Sequence, residues 1–545
     1  MSDFDVIVLG TGAAALTAAV TAHEGGARVA VFEKRGDVGG TSAWSGGQIW
    51  IPNHGLPTPG REDSREKALT YLAALSHGTI LPEIAEAFVD AGPEMIDFLG
   101  KCSPVTFDCI YNFPDYHSEF PGAMREGGRT LECHIFPFGN LGEWKDKVTV
   151  SPYWPDNNIT VGETTLGQPV PTEIDPAEKQ RRRENDERGM GQALIGRLLR
   201  ACLDRGIEPQ LNSRAIDLVM ENGAVAGVKI ETAEGVKTVT APNVVIATGG
   251  FEHNKDLVRA FLRGPMTKTV AVPENEGDGL KIAMKVGAML GNMREAWWIP
   301  IMPMPESVNG TGLQLCTWER TFPRSIMVNK KGKRFTNEAA NYNAFGAAFH
   351  EQDVSAFQYA NLPCWLVFDQ GYYSNNPFVG GLSDGFEHGM RPPEWIAAGE
   401  TLAELAEKVG IDAAGLEATV KRWNEQVDAL DDTDFQRGNA ANDIWWGSPA
   451  HRSSRAATMG KLDQGPFYAI PVESGCLGTK GGPQTDVNSN VLDTDGKPIQ
   501  GLYAAGNAQA SPMGMTYGGA GGTLGPAMVF GYLAGKHAGQ RKGRA

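Results

Sequence analysis

The chain lacks the cysteine spacing that metal and disulfide frameworks need. Its seven cysteines include no C-x-x-C pair and their number is odd, so neither a zinc or iron–sulfur site nor a disulfide scaffold is expected. Positive charge is in short supply as well. Lys and Arg number 49 against 65 Asp and Glu, a formal net charge of −16, which argues against a nucleic-acid partner. The one basic run, KQRRRENDER at 179–188, is interleaved with acids and reads as a solvated helix face. No stretch approaches the roughly 20 apolar residues of a spanning helix. The opening DFDVIVLG carries two acids and no basic region, unlike a signal peptide. A reducing cytoplasm is the default location, with peripheral membrane contact left open. There is no G-x-S-x-G elbow, no Walker loop and no histidine pair at ligand spacing, so no metal is expected.

What the chain has is glycine, 68 of 545 residues, gathered in clusters. The first cluster lies in FDVIVLGTGAAALTAAVTAHEGGARVAVFEKRG, which reads as strand, glycine turn, small-residue helix and second strand. Gly10 and Gly12 form the tight turn and let the backbone approach a pyrophosphate. Ala15 takes the third glycine's place, where helix packs on sheet. The helix N-terminus offers free N–H groups to phosphate. Glu33 ends the second strand, 23 residues after Gly10, where an acid binds a ribose hydroxyl and repels a 2′-phosphate. Strand, helix and terminal acid together make this a dinucleotide site.

More glycines follow directly, Gly39, Gly40, Gly46 and Gly47 in KRGDVGGTSAWSGGQIW, which an NAD-binding domain does not need. Downstream, NVVIATGGF (243–251) and IQGLYAAGNAQAS (499–511) each read as a buried strand entering a small-residue turn. Together these segments resemble the flavoproteins with two dinucleotide-binding domains. The resemblance implies an α/β fold, α+β overall. A Rossmann-like FAD-binding domain is split between 1–279 and 451–545, with an α+β substrate-capping domain at 280–450 inserted. It implies cofactor contacts from Gly10, Gly12, Ala14, Ala15, Glu33 and Lys34, and from Gly40, Thr41, Ser42, Gly46 and Gly47. Further contacts are expected from Ala247, Thr248, Gly249 and Asp278, and from Gly506, Asn507 and Leu524. Covalently flavinylated members carry a histidine near TSAWSGG; none lies between 41 and 47, so FAD is expected to be non-covalent.

Two further stretches, NEGDGLKIAMKVGAML (275–290) and SIMVNKKGKRFTNEAANY (325–342), resemble the fumarate reductase and succinate dehydrogenase flavoprotein group. There the aspartate, here Asp278, lies near the flavin. The departures are informative. That group has an arginine four residues after the glutamate of RF-x-NE, where this chain has Tyr342. It also has His and Arg before the final glycines, where this chain reads SPMGMTYGGAGG. A doubly anionic substrate finds no guanidinium in these segments. With tyrosines in these places the sequence resembles the 3-ketosteroid Δ1-dehydrogenases. These carry a tyrosine after RF-x-NE, another in a TY-x-x-x-G run, here Tyr517 with Gly521, and a third in an FPDY context, here Phe113–Tyr116, although Tyr111 is close by.

The resemblance implies introduction of the C1–C2 double bond into ring A of a 3-ketosteroid, in steroid degradation. Tyr517 O–H and Gly521 N–H would hold the C3 oxygen as an oxyanion hole does. Tyr342 would take the C2 proton, with Tyr116 stabilising its phenolate, and flavin N5 would accept the C1 hydride. A quinone is the expected electron acceptor. Taken alone, each tyrosine is more readily a core residue bonding a carbonyl. Rival readings are Δ4-(5α) dehydrogenation, a fumarate-reductase-like enone reductase, and a flavin electron-transfer or redox-sensing module. Trp297 and Trp298 read equally as slot lining and as core. The turn-rich stretch 137–180 reads as an insertion and, most simply, as a surface loop; a lid, an oligomer contact and a membrane contact stay open.

Overall fold

The computed structural model describes residues 2–153, 157–168, 174–376 and 392–541; Trp154 of the insertion lies outside them. The apolar run Val6–Leu9 is wholly buried within a parallel ladder, with Val6 beside Val29, Ile7 beside Val244, and Val244 beside Leu502. A strand covered on both faces is apolar along its length, which is why VIVL shows no alternation. The eight-stranded sheet therefore joins residues from both ends of the chain, Val6–Leu9 and Pro498–Ala504.

Two helices, Ala13–Glu24 and Leu524–Gln540, pack against one another. Small residues let them approach. A Cβ on Gly531 or Gly535 would lie 2.4 Å from the carbonyl oxygen of Ala14 or Ala18, and one on Gly539 would lie 2.8 Å from that of Ala22. Ala15 is wholly buried in the same layer.

A second sheet, of seven strands, is built around the long strand Phe467–Thr479. That strand pairs with Ala296–Pro303, Cys364–Asp369, Ala397–Gly399 and Lys268–Thr269. The sheet expected within 280–450 thus runs from Lys268 to Thr479. Its central strand comes last in the chain, beyond the expected boundary, because the strand completing a sheet need not be its sequence neighbour. The helices Leu402–Val409 and Ala413–Ala429 cover one face, burying Leu405, Leu416 and Trp423.

The basic run lies on the helix Pro176–Glu184, which buries none of its side chains. Arg181 and Arg182 pair with Glu178, Glu187 and Glu163. No helix among the described residues is long and apolar enough to cross a membrane.

Candidate active site

One continuous cavity runs between the two sheets, from Glu33 to the tyrosines. At the Glu33 end its lining includes the glycine turn Gly10–Ala14 together with Glu33, Lys34, Arg214 and Asp278. Gly10, at φ +105°, brings the chain so close to the next strand turn that a Cβ would lie 2.4 Å from Ala247 O. The helix Ala13–Glu24 starts at Gly12, with no side-chain cap and no acid in its first turn. Gly12 and Ala14 line the cavity there, an arrangement suited to phosphate. Glu33 accepts from Thr11 Oγ1 at 2.6 Å and from the Arg35 N–H at 2.9 Å. Burial pushes its carboxyl above the usual range, and those two donors oppose the shift.

The remaining expected cofactor residues also line this space: Lys34, Gly40, Thr41, Ser42, Gly46 and Gly47, then Ala247, Thr248, Gly249 and Asp278, then Gly506, Asn507 and Leu524. Ala15 does not, since it faces the helix packing its place in the motif implies. The wall fits a dinucleotide. A Cβ on Gly40 would meet nothing within 4 Å, and Thr248 Oγ1 is buried without a hydrogen-bond partner among the described residues. Such an orphan hydroxyl calls for a ligand or water.

At the far end three tyrosines from distant segments converge. The Tyr116 and Tyr342 hydroxyls are 3.0 Å apart, and each is able to donate to the other. Ring centroids are 5.4 Å apart for Tyr116–Tyr342, 5.1 Å for Tyr116–Tyr517 and 5.5 Å for Tyr342–Tyr517. Burial pushes all three phenols above their ordinary value. Thr523 Oγ1 donates to the Tyr517 oxygen at 3.1 Å, which leaves the Tyr517 proton free to point elsewhere. The Gly521 carbonyl accepts from Trp50 and Gly525, while its N–H has no hydrogen bond among the described residues. With φ at +94° and a would-be Cβ 2.5 Å from the Ile49 carbonyl carbon, only glycine fits at 521. Phe113, Ile299, Leu315, Trp318 and Trp446 complete an apolar slot beside the phenols.

Each tyrosine is held through its neighbours. Asn341 Oδ1 accepts the Ala344 N–H at 3.2 Å and its amide nitrogen lies 3.1 Å from His117 Nε2; the Asn343 amide donates to Met515 O at 3.2 Å. Asp115, before Tyr116, takes Arg129 Nη1 at 2.7 Å and Trp50 Nε1 at 2.8 Å. The RF-x-NE signature itself is a buried ion network. Arg334 pairs with Glu338 at 2.7 Å and Asp432 at 2.8 Å, and Arg437 reaches Glu338 at 3.3 Å. It shapes the turn that ends at Tyr342.

Asp278, expected near the cofactor, pairs with Lys34 at 3.0 Å and Arg214 at 2.7 Å at the Glu33 end of the cavity. Of the glycines around Tyr517, only Gly521 lines the cavity. A Cβ on Gly518 or Gly519 would lie 2.8 or 2.5 Å from the Trp50 ring, and one on Gly525 would lie 2.3 Å from Trp50 O. Gly518 and Gly519 thus make room for the Trp50 indole, and Gly525 for the Trp50 backbone. Trp297 and Trp298 are core. Trp297 backs Tyr517 at 4.8 Å, and Trp298 packs on His350.

Tyr111 bonds Pro59 O at the surface, away from the cluster, which leaves Tyr116 as the third phenol. The insertion is more than a surface loop. Tyr153, Val161, Thr164 and Leu166 line the cavity. Glu132 anchors the loop by accepting the Val161 and Gly162 N–H groups at 2.8 Å, and Trp445 Nε1 donates to Leu166 O at 2.8 Å. Thr523, Trp446 and this loop were not among the expected site residues. The hydroxyl following AGG in the TY-x-x-x-G run was the one available signal for Thr523.

The sequence matches the FAD binding domain family over residues 5–524. It is 40% identical to a 4-oxocyclohexanecarboxylate 2-dehydrogenase of Sinomonas cyclohexanicum, over 99% of this chain and 94% of that one. It is 38% identical to a 3-oxosteroid 1-dehydrogenase of Mycobacterium tuberculosis, over 100% of both. Among solved structures, the 3-ketosteroid Δ1-dehydrogenase of Sterolibacterium denitrificans, in complex with 1,4-androstadiene-3,17-dione, superposes with a TM-score of 0.87 at 32% identity, over 98% of this chain and 99% of that one.

Proposed function

The chain belongs to the FAD binding domain family and is an FAD-dependent oxidoreductase acting on CH–CH groups, and from that premise we propose that it desaturates C1–C2 of 3-ketosteroids. The observation carrying this reading is the phenol pair at 3.0 Å, with Tyr517 packed on both rings and an unengaged Gly521 N–H beside them. A ketone oxygen held by Tyr517 O–H and Gly521 N–H has its enolate stabilised, so the neighbouring carbon becomes acidic. Tyr342 takes that proton. Burial works against a phenolate there, and so do the neighbouring Tyr116 and Tyr517 phenols; a hydrogen bond donated by the Tyr116 O–H across 3.0 Å to an ionised Tyr342 is the proposed offset. Bound FAD supplies the acceptor for the two electrons that leave with the C1 hydrogen. The apolar walls exclude water and match a hydrocarbon ring system. A quinone is the proposed carrier that reoxidises the cofactor.

The likeness to a 4-oxocyclohexanecarboxylate dehydrogenase favours a second reading, the same chemistry on a smaller ring bearing a carboxylate. Against it, among the described residues the cations lining the cavity, Lys34, Arg35 and Arg214, gather at the Glu33 end, and the slot beside the tyrosines carries none. Comparing kcat/KM for a 4-ene-3-ketosteroid and 4-oxocyclohexanecarboxylate, with the product identified, tests the choice. The steroid is expected to be turned over to the 1,4-diene. Turnover of the carboxylate alone would establish the second reading.

A further inference from the structure

Among the described residues three guanidinium side chains are at most 1% exposed: Arg129, Arg320 and Arg437. Two are paired in the usual way, Arg129 with Asp115 at 2.7 Å and Arg437 with Glu338 at 3.3 Å. Arg320 has no carboxylate within ion-pair distance among the described residues. It donates instead to three carbonyls, Cys316 O at 3.0 Å, Ala340 O at 2.7 Å and Glu338 O, and lies over the Phe345 ring at 4.6 Å. A buried charge held by carbonyl dipoles with no carboxylate at ion-pair distance is costly, and such arrangements are concentrated at functional sites.

The place of those contacts is telling. Glu338 and Ala340 precede Tyr342, and Phe345 follows it, so one side chain grips both flanks of the turn presenting that phenol. Cys316 leads into Thr317 and Trp318, which line the slot. The charge is also felt at the phenols. The field of Arg320 favours the ionised form of Tyr116. Burial lowers Arg320 itself to about 10, so it stays charged at neutral pH. The other groups acting on it are Cys316, Asp443 and Glu319, which favour its charged form, and Arg437, which opposes it.

We propose that Arg320 is a positioning residue for the proton-abstracting pair: it fixes the turn that carries Tyr342 and supplies the buried positive charge that balances the negative charge of the Tyr342–Tyr116 pair in its ionised form, the form that takes the substrate proton and is neutralised by it. This rests on the reading of Tyr342 as the base. In the resting protein the guanidinium has carbonyl dipoles for partners. When the phenol pair loses its own proton to become the base, the guanidinium gains an anion, which is where a buried cation without an ion-pair partner becomes favourable.

The test compares Arg320→Gln and Arg320→Lys with the wild-type holoprotein. With a 4-ene-3-ketosteroid, the limb of log kcat/KM that rises with pH as the base ionises is expected to move up by at least about one pH unit in Arg320→Gln, since an opposite charge at close range shifts a pKa by about 1–3 units. In Arg320→Lys, which keeps the charge but loses the fork, kcat falls while the limb stays in place. If both variants fall equally at every pH with the limb unmoved, the residue is only structural and the proposal is overturned. If Arg320→Gln does not retain FAD, the lysine variant carries the test, and a limb displaced by a full unit there overturns it. A substrate-free readout separates this from the functional reading. In protein labelled at tyrosine Cζ with 13C, the resonances lost in Tyr116→Phe and Tyr342→Phe should titrate at higher pH in Arg320→Gln. Unchanged midpoints would overturn the proposal even if steroids are substrates, and shifted midpoints would support it even if they are not.

Discussion

The two ends of the cavity are made in different ways. The Glu33 end is backbone brought close by glycine, and most of it comes from one run, residues 10–47. The tyrosine end is side chains from residues 116, 342 and 517, assembled from segments hundreds of positions apart. In the proposed function the first would bind by shape and peptide dipoles, so its parts are local. The second would do acid–base chemistry, so hydroxyls must meet within hydrogen-bond reach, and distant ion networks place them. Damage to the first should cost the cofactor, whereas damage to the second should cost the reaction and spare the cofactor.

The sharpest break at the Glu33 end is Gly10→Ala. The added methyl meets Ala247 O at 2.4 Å on a backbone with φ +105°, so purified protein is expected to carry no flavin absorbance or not to fold. At the other end, Tyr342→Phe keeps the ring and loses the base. It should lose about 10²–10⁴-fold in kcat, with FAD content and flavin spectrum unchanged. Glu338→Gln tests the supporting network, since it weakens the acid held by both Arg334 and Arg437. Breaking such a buried pair typically costs about 3–5 kcal/mol, read as a lower midpoint in denaturant. Thr523→Val frees the Tyr517 oxygen to turn its proton inward and should raise KM more than it lowers kcat, by about tenfold or less.

A separate effect, on stability alone, concerns Lys480, wholly buried behind Trp297, with Nζ donating to Thr516 O at 2.6 Å. Burial lowers it to about 7, well below an ordinary lysine. Between that value and about 10.4 the unfolded chain binds the proton and the folded one does not, so stability gains as pH rises through this window and the penalty is fully present below it. The advantage of Lys480→Met over wild type in Tm should therefore be larger at pH 6 than at pH 9. An advantage independent of pH would show that Lys480 is not buried as a cation.

Legibility follows the same division. Strand, Gly10, Gly12, the helix and Glu33 could be read directly because backbone geometry leaves a local pattern. Tyr342 and Tyr517 were legible only through motif resemblance, since nothing in either segment says that the rings will touch. The glycines near Tyr517 were visible but their partner was not; Trp50 fills that space from more than four hundred residues away in the chain. The loop at 157–168 shows turn residues without showing what it covers. Arg320 has no sequence signal at all, because an arginine becomes unusual only once its burial and its missing carboxylate are seen.

The central claim is that the tyrosine end removes hydrogen from ring carbons beside a ketone. Its most direct test is the flavin spectrum of the purified holoprotein, titrated without oxygen with a 4-ene-3-ketosteroid and separately with its 5α-reduced analogue. The account predicts bleaching by the 4-ene-3-ketone with formation of the 1,4-diene-3-ketone. Bleaching by the 5α-compound alone, with the 4-ene as product, or no bleaching by either, would contradict it.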